Sequence, residues 1–527
     1  MENQVIAGSL RVQFLSEDIV RVEYAADKNF FDGQTLFIPS RREFAGFGGF
    51  TVRKESDGTE VLFSDWKLIL PKDASGLGDV VLFRGAKRIR SLRGIKNTGE
   101  LPPLGKTPEV FALADAPRIV LPEGGYSASR KSEYVVQKNV QDVYLLLCQK
   151  DAKKLRRLYV QLTGRCEMPR LSTFGAWNSK YFKYDEQSAK QVISDYEKYD
   201  VPLDNMVIDT DWRAASDRGI GYDIDTALFP DMKRFFDFAH AHGVEIMFND
   251  HPEPVDGADS VFSPAEIAFR EEKLQHLLEL GLDTWWYDRN WSTKLKSPVK
   301  GIKPETLGMY LFQDITKHFY QKQTGDDEKF RRPVIMANVV EVTNGCYIGI
   351  HDSASHRYSI QWTGDIDSDD FSIAQEVQTL IRASDNCIPY VNADCGGHIG
   401  NPDAELYLRW IAFGVMSPVL RPHCTNIVHR FREPWLYDEE TLSVARAYIK
   451  MRYRLLPVFY AAAFNNYKTG EPICRGLGWE FPKDKNALGC CKEFMLGKDI
   501  LVAPMFGETP VRLKKENYVS PVKATFY

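Results

Sequence analysis

The chain has 527 residues, with 67 Lys and Arg against 72 Asp and Glu, 44% hydrophobic and 26% charged. Those are globular values, so disordered, collagen-like and low-complexity classes are excluded. The net charge of −5 and the lack of any Lys/Arg block leave no electrostatic footprint for a nucleic-acid partner. The cysteines are scattered and hold no CxxC, so neither a disulfide framework nor a zinc ribbon is expected. Met1-Glu2-Asn3-Gln4 carries no basic region followed by an apolar one, and no apolar run reaches membrane-spanning length. The expectation is a cytoplasmic protein without a membrane partner; a homo-oligomer stays open.

Residues 1–165 read as β. Val20, Val22 and Tyr24 alternate with Arg21 and Glu23, the period of a half-buried strand. Val61-Leu62-Phe63 and the run from Trp66 to Leu70 follow the turn Asp57-Gly58. An N-terminal β-sandwich is the simplest architecture for such a stretch.

From residue 166 to 469 apolar strands alternate with helices. Ala189, Val192, Ile193 and Tyr196 set a helical period over 186–198. Met232, Phe235, Phe236 and Ala239 do the same over 231–242, before Gly243. Leu274, Leu277 and Leu278 continue the pattern over 265–280. Residues 292–332 form an excursion with a helix (Leu307, Tyr310, Leu311, Ile315, Phe319) and a polar tip at 324–328. Eight strands are expected, at 172–178, 206–212, 245–251, 284–290, 333–340, 359–365, 388–394 and 418–423. Strand–helix alternation of this kind predicts a parallel (β/α)8 TIM barrel. Nearly every strand ends in a functional side chain: Asn178, Asp209 and Asp211, Asp250 and His251, Asp288, Asn338, Asp365, Asp394, Arg421 and His423. The carboxyl ends of barrel strands surround the active site. After the helical segment 439–466 the chain turns β-like, and 470–527 reads as the start of a proximal C-terminal β-domain, incomplete at Tyr527.

Trp285-Trp286-Tyr287-Asp288 places a carboxylate just beyond an aromatic strand, and Gln361-Trp362-Thr363-Gly364-Asp365 does so two strands later. Glycoside hydrolysis needs one carboxylic acid to protonate the leaving oxygen and one carboxylate to take the anomeric carbon. Aromatic neighbours supply a platform for the sugar face and raise the acid's pKa.

From about Pro169 to Phe506 the sequence resembles glycoside hydrolase family 31, the retaining α-glycosidases. Ile208-Asp209-Thr210-Asp211-Trp212 resembles the family's D-x-D-[YW] strand, and Trp286-Tyr287-Asp288-Arg289-Asn290-Trp291 its nucleophile block. Trp362-Thr363-Gly364-Asp365 resembles the acid/base block, and Asn392-Ala393-Asp394-Cys395-Gly396-Gly397 the G-A-D block. Arg421-Pro422-His423-Cys424 resembles R-x-H-N, and Arg432-Glu433-Pro434-Trp435 resembles Q-E-P-W. The resemblance implies Asp288 as nucleophile and Asp365 as general acid/base. Asp211 would bind sugar hydroxyls with Asp209 beneath it, His423 would bind the ring's hydroxyls, and Asp394 would support the site. Trp177, Trp286 and Trp362 would be the apolar walls.

Two departures bear on the sugar. Trp291 stands where the family has Glu, and 349–357 lacks the family's hydroxyl-clamping Arg in register, Arg357 fitting a later family position just before the acid strand. A pocket that loses a clamp and gains an aromatic wall discriminates weakly. The expectation is therefore a retaining exo-acting α-glycosidase on a small oligosaccharide or glycoside, with an α-galactoside or α-N-acetylgalactosaminide ahead of plain α-glucosides. An ordinary α-glucosidase, an α-transglycosylase and a carbohydrate-binding barrel without catalysis are the alternatives. A lone Asp after a strand is often only a helix cap, and the acidic run Asp367-Ser368-Asp369-Asp370 is read that way. His240 and His242 read as a solvated helix end. No cofactor and no metal are expected, so activity should survive EDTA.

Overall fold

The computed structural model describes residues 3–214, 221–288, 296–326, 329–338, 342–343, 345–347 and 352–505. The N-terminal part holds two five-stranded antiparallel sheets. One orders Gln4–Ala7, Leu10–Phe14, Ile19–Tyr24, Gln141–Leu146 and Phe111–Ala114; the other runs in chain order from Phe50–Lys54 to Lys87–Ser91. Val20 and Val22 of the first sheet share one core with Val61, Phe63, Leu68 and Leu70 of the second. The alternating residues Arg21 and Glu23 are buried too. Arg21 pairs with Asp142 at 2.8 Å and donates to the carbonyl of Phe31, so the polar face is covered by the segment carrying Phe31.

The β reading of 1–165 needs one correction: Ala152–Thr163 is a helix. Asp151 caps it by accepting from the amides of Lys153 and Lys154. Leu155, Leu158, Tyr159 and Leu162 recur at helical spacing and are buried.

The barrel strands are β1 (Trp177–Asn178), β2 (Asn205–Ile208), β3 (Glu245–Asp250), β4 (Thr284–Tyr287), β5 (Ile335–Ala337), β6 (Ile360–Trp362) and β7 (Val391–Asn392). They pair in parallel, in that order. The segment around residues 420–422 bridges both edges, Leu420 to Ala176 and Pro422 to Cys395, each in parallel. The eighth position is thus filled by a bridging segment. The expected strands run longer than the observed ones because a turn takes one end: Leu171–Phe174 and Thr210–Trp212 are 3-10 turns.

The helices follow the apolar period closely. Glu186–Lys198 is capped by Asp185 and Ser188, and Met232–Ala241 by Asp231. Pro264–Leu280 and Pro304–Thr324 each begin with Pro in the first turn, where its missing N–H costs nothing. Glu439–Thr469 ends at Gly470 with φ 77°. Asp369 caps Asp370–Asp385, accepting from the Ser372 amide. His240 is exposed in the last turn of its helix, as expected, and one ring nitrogen is also bonded to Asp283 at 2.8 Å. Beyond the barrel lies a three-stranded antiparallel sheet, Cys474–Gly476, Phe494–Leu496 and Ile500–Val502. Among the described residues no helix is long and apolar enough to cross a membrane. Trp291, residues 327–328, 339–340, 348–351 and the chain from 506 onward lie outside the described residues.

Candidate active site

Side chains alternate across a strand, and that period builds the site. The barrel interior is a cluster of Trp177, Val207, Met247, Trp286, Val334, Met336, Ile360, Trp362 and Val419. Two residues further along each strand the same inward face carries Ser179, Asp209, Asn249, Asp288 and Arg421, and then His423. The neighbours of opposite parity point outward: Ile208, Phe248, Trp285 and Tyr287 belong to the core under the helices.

These residues surround a cavity of about 340 Å³ lined by Tyr181, Asp209, Thr210, Asn249, His251, Trp286, Asp288, Trp362, Asp365, His398, His423 and Thr425. Its floor is aromatic. Trp286 and Trp362 meet edge to face at 4.8 Å, and the Arg421 guanidinium lies 4.7 Å from the Trp286 ring centre. Asp288 is buried. Asn249 donates to its Oδ2 at 3.2 Å, and His251 Nε2 lies 3.3 Å from the same oxygen. Asp365 follows Gly364, whose φ of 85° is the left-handed region that favours glycine. Its side chain is 34% exposed and His398 Nδ1 is 3.6 Å away.

The electrostatics separate the carboxylates. Burial pushes Asp209 up to about 8, and the charges of Asp288 and Asp211 push the same way against the Thr210 amide and Arg421. Asp209 is thus a neutral acid at pH 7 beside Asp288, as crowded carboxylates require. Asp394 is fully buried and pushed up by burial to about 6, with Arg421 and His398 pulling it down. It accepts from Trp362 Nε1 at 2.8 Å and from Arg421. Burial, reinforced by the positive charge of Arg421, drives His423 well below the ordinary histidine value. It is neutral, with Nδ1 2.7 Å from Ser179 Oγ.

Of the sequence-predicted residues, Asp288, Asp365, Asp209, Trp286, Trp362 and His423 share this cavity. Asp394 stands behind it, holding Trp362 and Arg421. Asp211 sits on the turn past Asp209, half-buried and outside the lining; after burial, its charge is what raises the Tyr181 phenol. Two assignments need correction. Trp177 is no cavity wall: it is 1% exposed within the barrel interior, and its indole N–H donates to the Thr173 carbonyl, one layer below the functional residues. Arg357 precedes β6, so it lies at the opposite barrel end, bonded to the Leu36 carbonyl. Asp250 is also structural, because its parity turns it outward onto Arg213 and Tyr222. The Arg432-Glu433-Pro434-Trp435 block braces the rim. Arg432 holds the carbonyls of Gly397 and Gly400, Glu433 pairs with Lys180 at 2.6 Å, and Trp435 stacks on Tyr199.

Sequence reasoning missed Asn249, His398, Tyr181 and Thr425. Asn249 was legible, lying two residues past inward Met247. His398 comes off the turn made by Gly396 and Gly397, both at positive φ, and no spacing rule points to it. Asp394, His398 and His423 place three ligand-type atoms within 4.8 Å of one another. The two imidazoles are stacked, 5.1 Å apart and 20° between planes.

A parallel β/α barrel with carboxylates gathered at the carboxyl ends of its strands is an enzyme barrel. The chain belongs to glycosyl hydrolase family 31. Residues 166–260 and 258–462 match the model of the glycosyl hydrolases family 31 TIM-barrel domain, and 470–527 that of the family's C-terminal domain. An alpha-xylosidase of Saccharolobus solfataricus is 27% identical over 410 residues, covering 70% of this chain and 52% of the relative. Human neutral alpha-glucosidase C is 25% identical over 413 residues, covering 71% and 44%. The chain thus spans about half the length of the curated relatives it matches. The fold is similar to that of a Flavobacterium johnsoniae GH31 dextranase complexed with isomaltotriose, at TM-score 0.70, 18% identity, and coverage of 96% of this chain and 74% of that one.

Proposed function

We propose that the chain is a retaining, exo-acting α-glycosidase that works by double displacement. Asp288 attacks the anomeric carbon while Asp365, as a carboxylic acid, protonates the leaving oxygen; Asp365 then takes a proton from the water that releases the sugar. The observation that carries this reading is that Asp288 and Asp365, from different strands, line one cavity. The arrangement also supports a division of labour. Asp288 is bound by an amide donor and sits deep, as a nucleophile must. Asp365 is partly open to the solvent from which it takes its second proton.

Neutral Asp209 and neutral His423 supply hydrogen bonds to sugar hydroxyls without adding charge, and Trp286 and Trp362 form the apolar floor. A cavity of about 340 Å³ is at the small end of ligand pockets, which suits one terminal sugar better than the middle of a chain. Relatives named as α-xylosidases and α-glucosidases put gluco-configured sugars first. The galacto or N-acetylgalactosamine expectation rested on Trp291 and on the stretch ahead of the acid strand, and has no support among those relatives.

The test is release of aryl leaving group from p-nitrophenyl α-glucoside, α-xyloside, α-galactoside and α-N-acetylgalactosaminide. Cleavage of the glucoside or xyloside is expected. Turnover of the galacto-configured pair alone would restore the other sugar, and silence on all four would leave a binding barrel.

A further inference from the structure

His398 Nδ1 lies 3.6 Å from Asp365 Oδ1 and 3.9 Å from Asp394 Oδ2, too far for a hydrogen bond to either. Among the described residues, both Nδ1 and Asp394 Oδ2 are buried atoms without a hydrogen-bond partner. Buried polar atoms are rarely left so. The backbone beneath the ring is fixed. The Thr425 amide donates to the His398 carbonyl at 2.9 Å, and Arg432 holds Gly397 and Gly400 on either side. Stacking on His423 sets the plane of the ring. A shift of well under 1 Å closes either contact. Among the described residues, the other charged groups near it are Arg421, bound to Asp394, Arg432, bound to the Gly397 and Gly400 carbonyls, and Asp367, whose backbone bridges to Ile399.

We propose that His398 is a positioning residue for Asp365, one N–H donor shared in turn between Asp365 and Asp394 during turnover. The inference rests on Asp365 being the acid/base. While Asp365 acts as the acid, the Nδ1–H of His398 serves Asp394. When the proton passes to the leaving oxygen and the glycosidic bond breaks, Asp365 becomes a carboxylate and Nδ1–H swings to its Oδ1. Water then adds its oxygen to the anomeric carbon as the bond from that carbon to Asp288 breaks, its proton passes to Asp365, and His398 returns. One proton leaves Asp365, one comes back, and the imidazole keeps its own throughout.

The experiment is the pH profile of kcat/KM for His398→Phe and His398→Met, with His398→Gln as the variant that retains an N–H donor. The substrate is the best p-nitrophenyl glycoside of the panel, and kcat is read separately on its 2,4-dinitrophenyl analogue. A donor to the carboxylate favours ionisation. Its loss should move the alkaline limb up by roughly one pH unit and lower kcat on the activated substrate, while Gln brings the limb back. Asp365→Ala is measured alongside. Azide rescue of that variant with an unmoved limb in Phe and Met would overturn the role of His398 alone. A shifted limb without azide rescue would overturn the acid/base assignment and this inference with it.

Discussion

Glu376 offers a test that separates burial from chemistry. It lies on the helix Asp370–Asp385 and is 1% exposed. Thr363, inside the acid block, donates to its Oε1 at 2.6 Å, and Oε2 has no partner. Burial pushes the carboxyl from 4.5 up to about 8; the Thr363 donor opposes this and the Asp394 charge adds to it. Folded Glu376 is therefore neutral at pH 7, while the unfolded chain ionises it. A raised acid contributes stability that is complete below pH 4.5 and is lost as pH rises toward about 8. From pH 4.5 to 7 the loss is about 2.5 units at ~1.36 kcal/mol each, or about 3 kcal/mol. Glu376→Gln removes that titration and keeps the acceptor for Thr363. Its amide faces the partnerless side, a pH-independent penalty of about 1–3 kcal/mol. The variant should therefore be the less stable protein near pH 5 and gain on the parent by about 2.5 kcal/mol by pH 7. Melting temperature against pH is the assay, at roughly 2–4 °C per kcal/mol for a domain of barrel size. Parallel curves for parent and variant would refute the argument that the buried carboxyl carries a proton.

Three further outcomes are expected. Asp288→Asn should lower kcat by on the order of 10⁴-fold or more while leaving the melting temperature near the parent's, because it removes the nucleophile and keeps the shape; residual activity within tenfold would remove Asp288 from that role. Proton NMR of the first product should show the α-anomer, since double displacement through Asp288 inverts the anomeric centre twice; an initial β-anomer would mean inversion. Arg357→Ala should leave KM and kcat unchanged and destabilise by about 1–3 kcal/mol, the cost of an unpaired buried carbonyl at Leu36; a raised KM would return Arg357 to the sugar.

The sequence alone determined the class of fold and many of the residues that line the candidate cavity. Both were local readings: helical period and caps marked helices such as Glu186–Lys198 and Met232–Ala241 to within a few residues, though not Ala152–Thr163, and polar residues at strand ends marked one barrel face. Alternation within a strand was also legible, and it distinguishes inward Asp209 and Asp288 from outward Asp250. Tertiary structure decided what periodicity cannot. Which layer an inward side chain occupies depends on how far the strand has climbed the barrel, so Trp177 became core and Trp286 floor. Which end a residue faces depends on whether it precedes or follows its strand, so Arg357 left the site. The polar face of Arg21 and Glu23 was buried by the following segment around Phe31, which folds back over the sheet in a way that no local pattern announces. His398 reached Asp365 only because two glycines at positive φ turn the chain back over the barrel mouth. Contacts made across loops come from the packing of whole elements, and spacing along one segment holds no record of them.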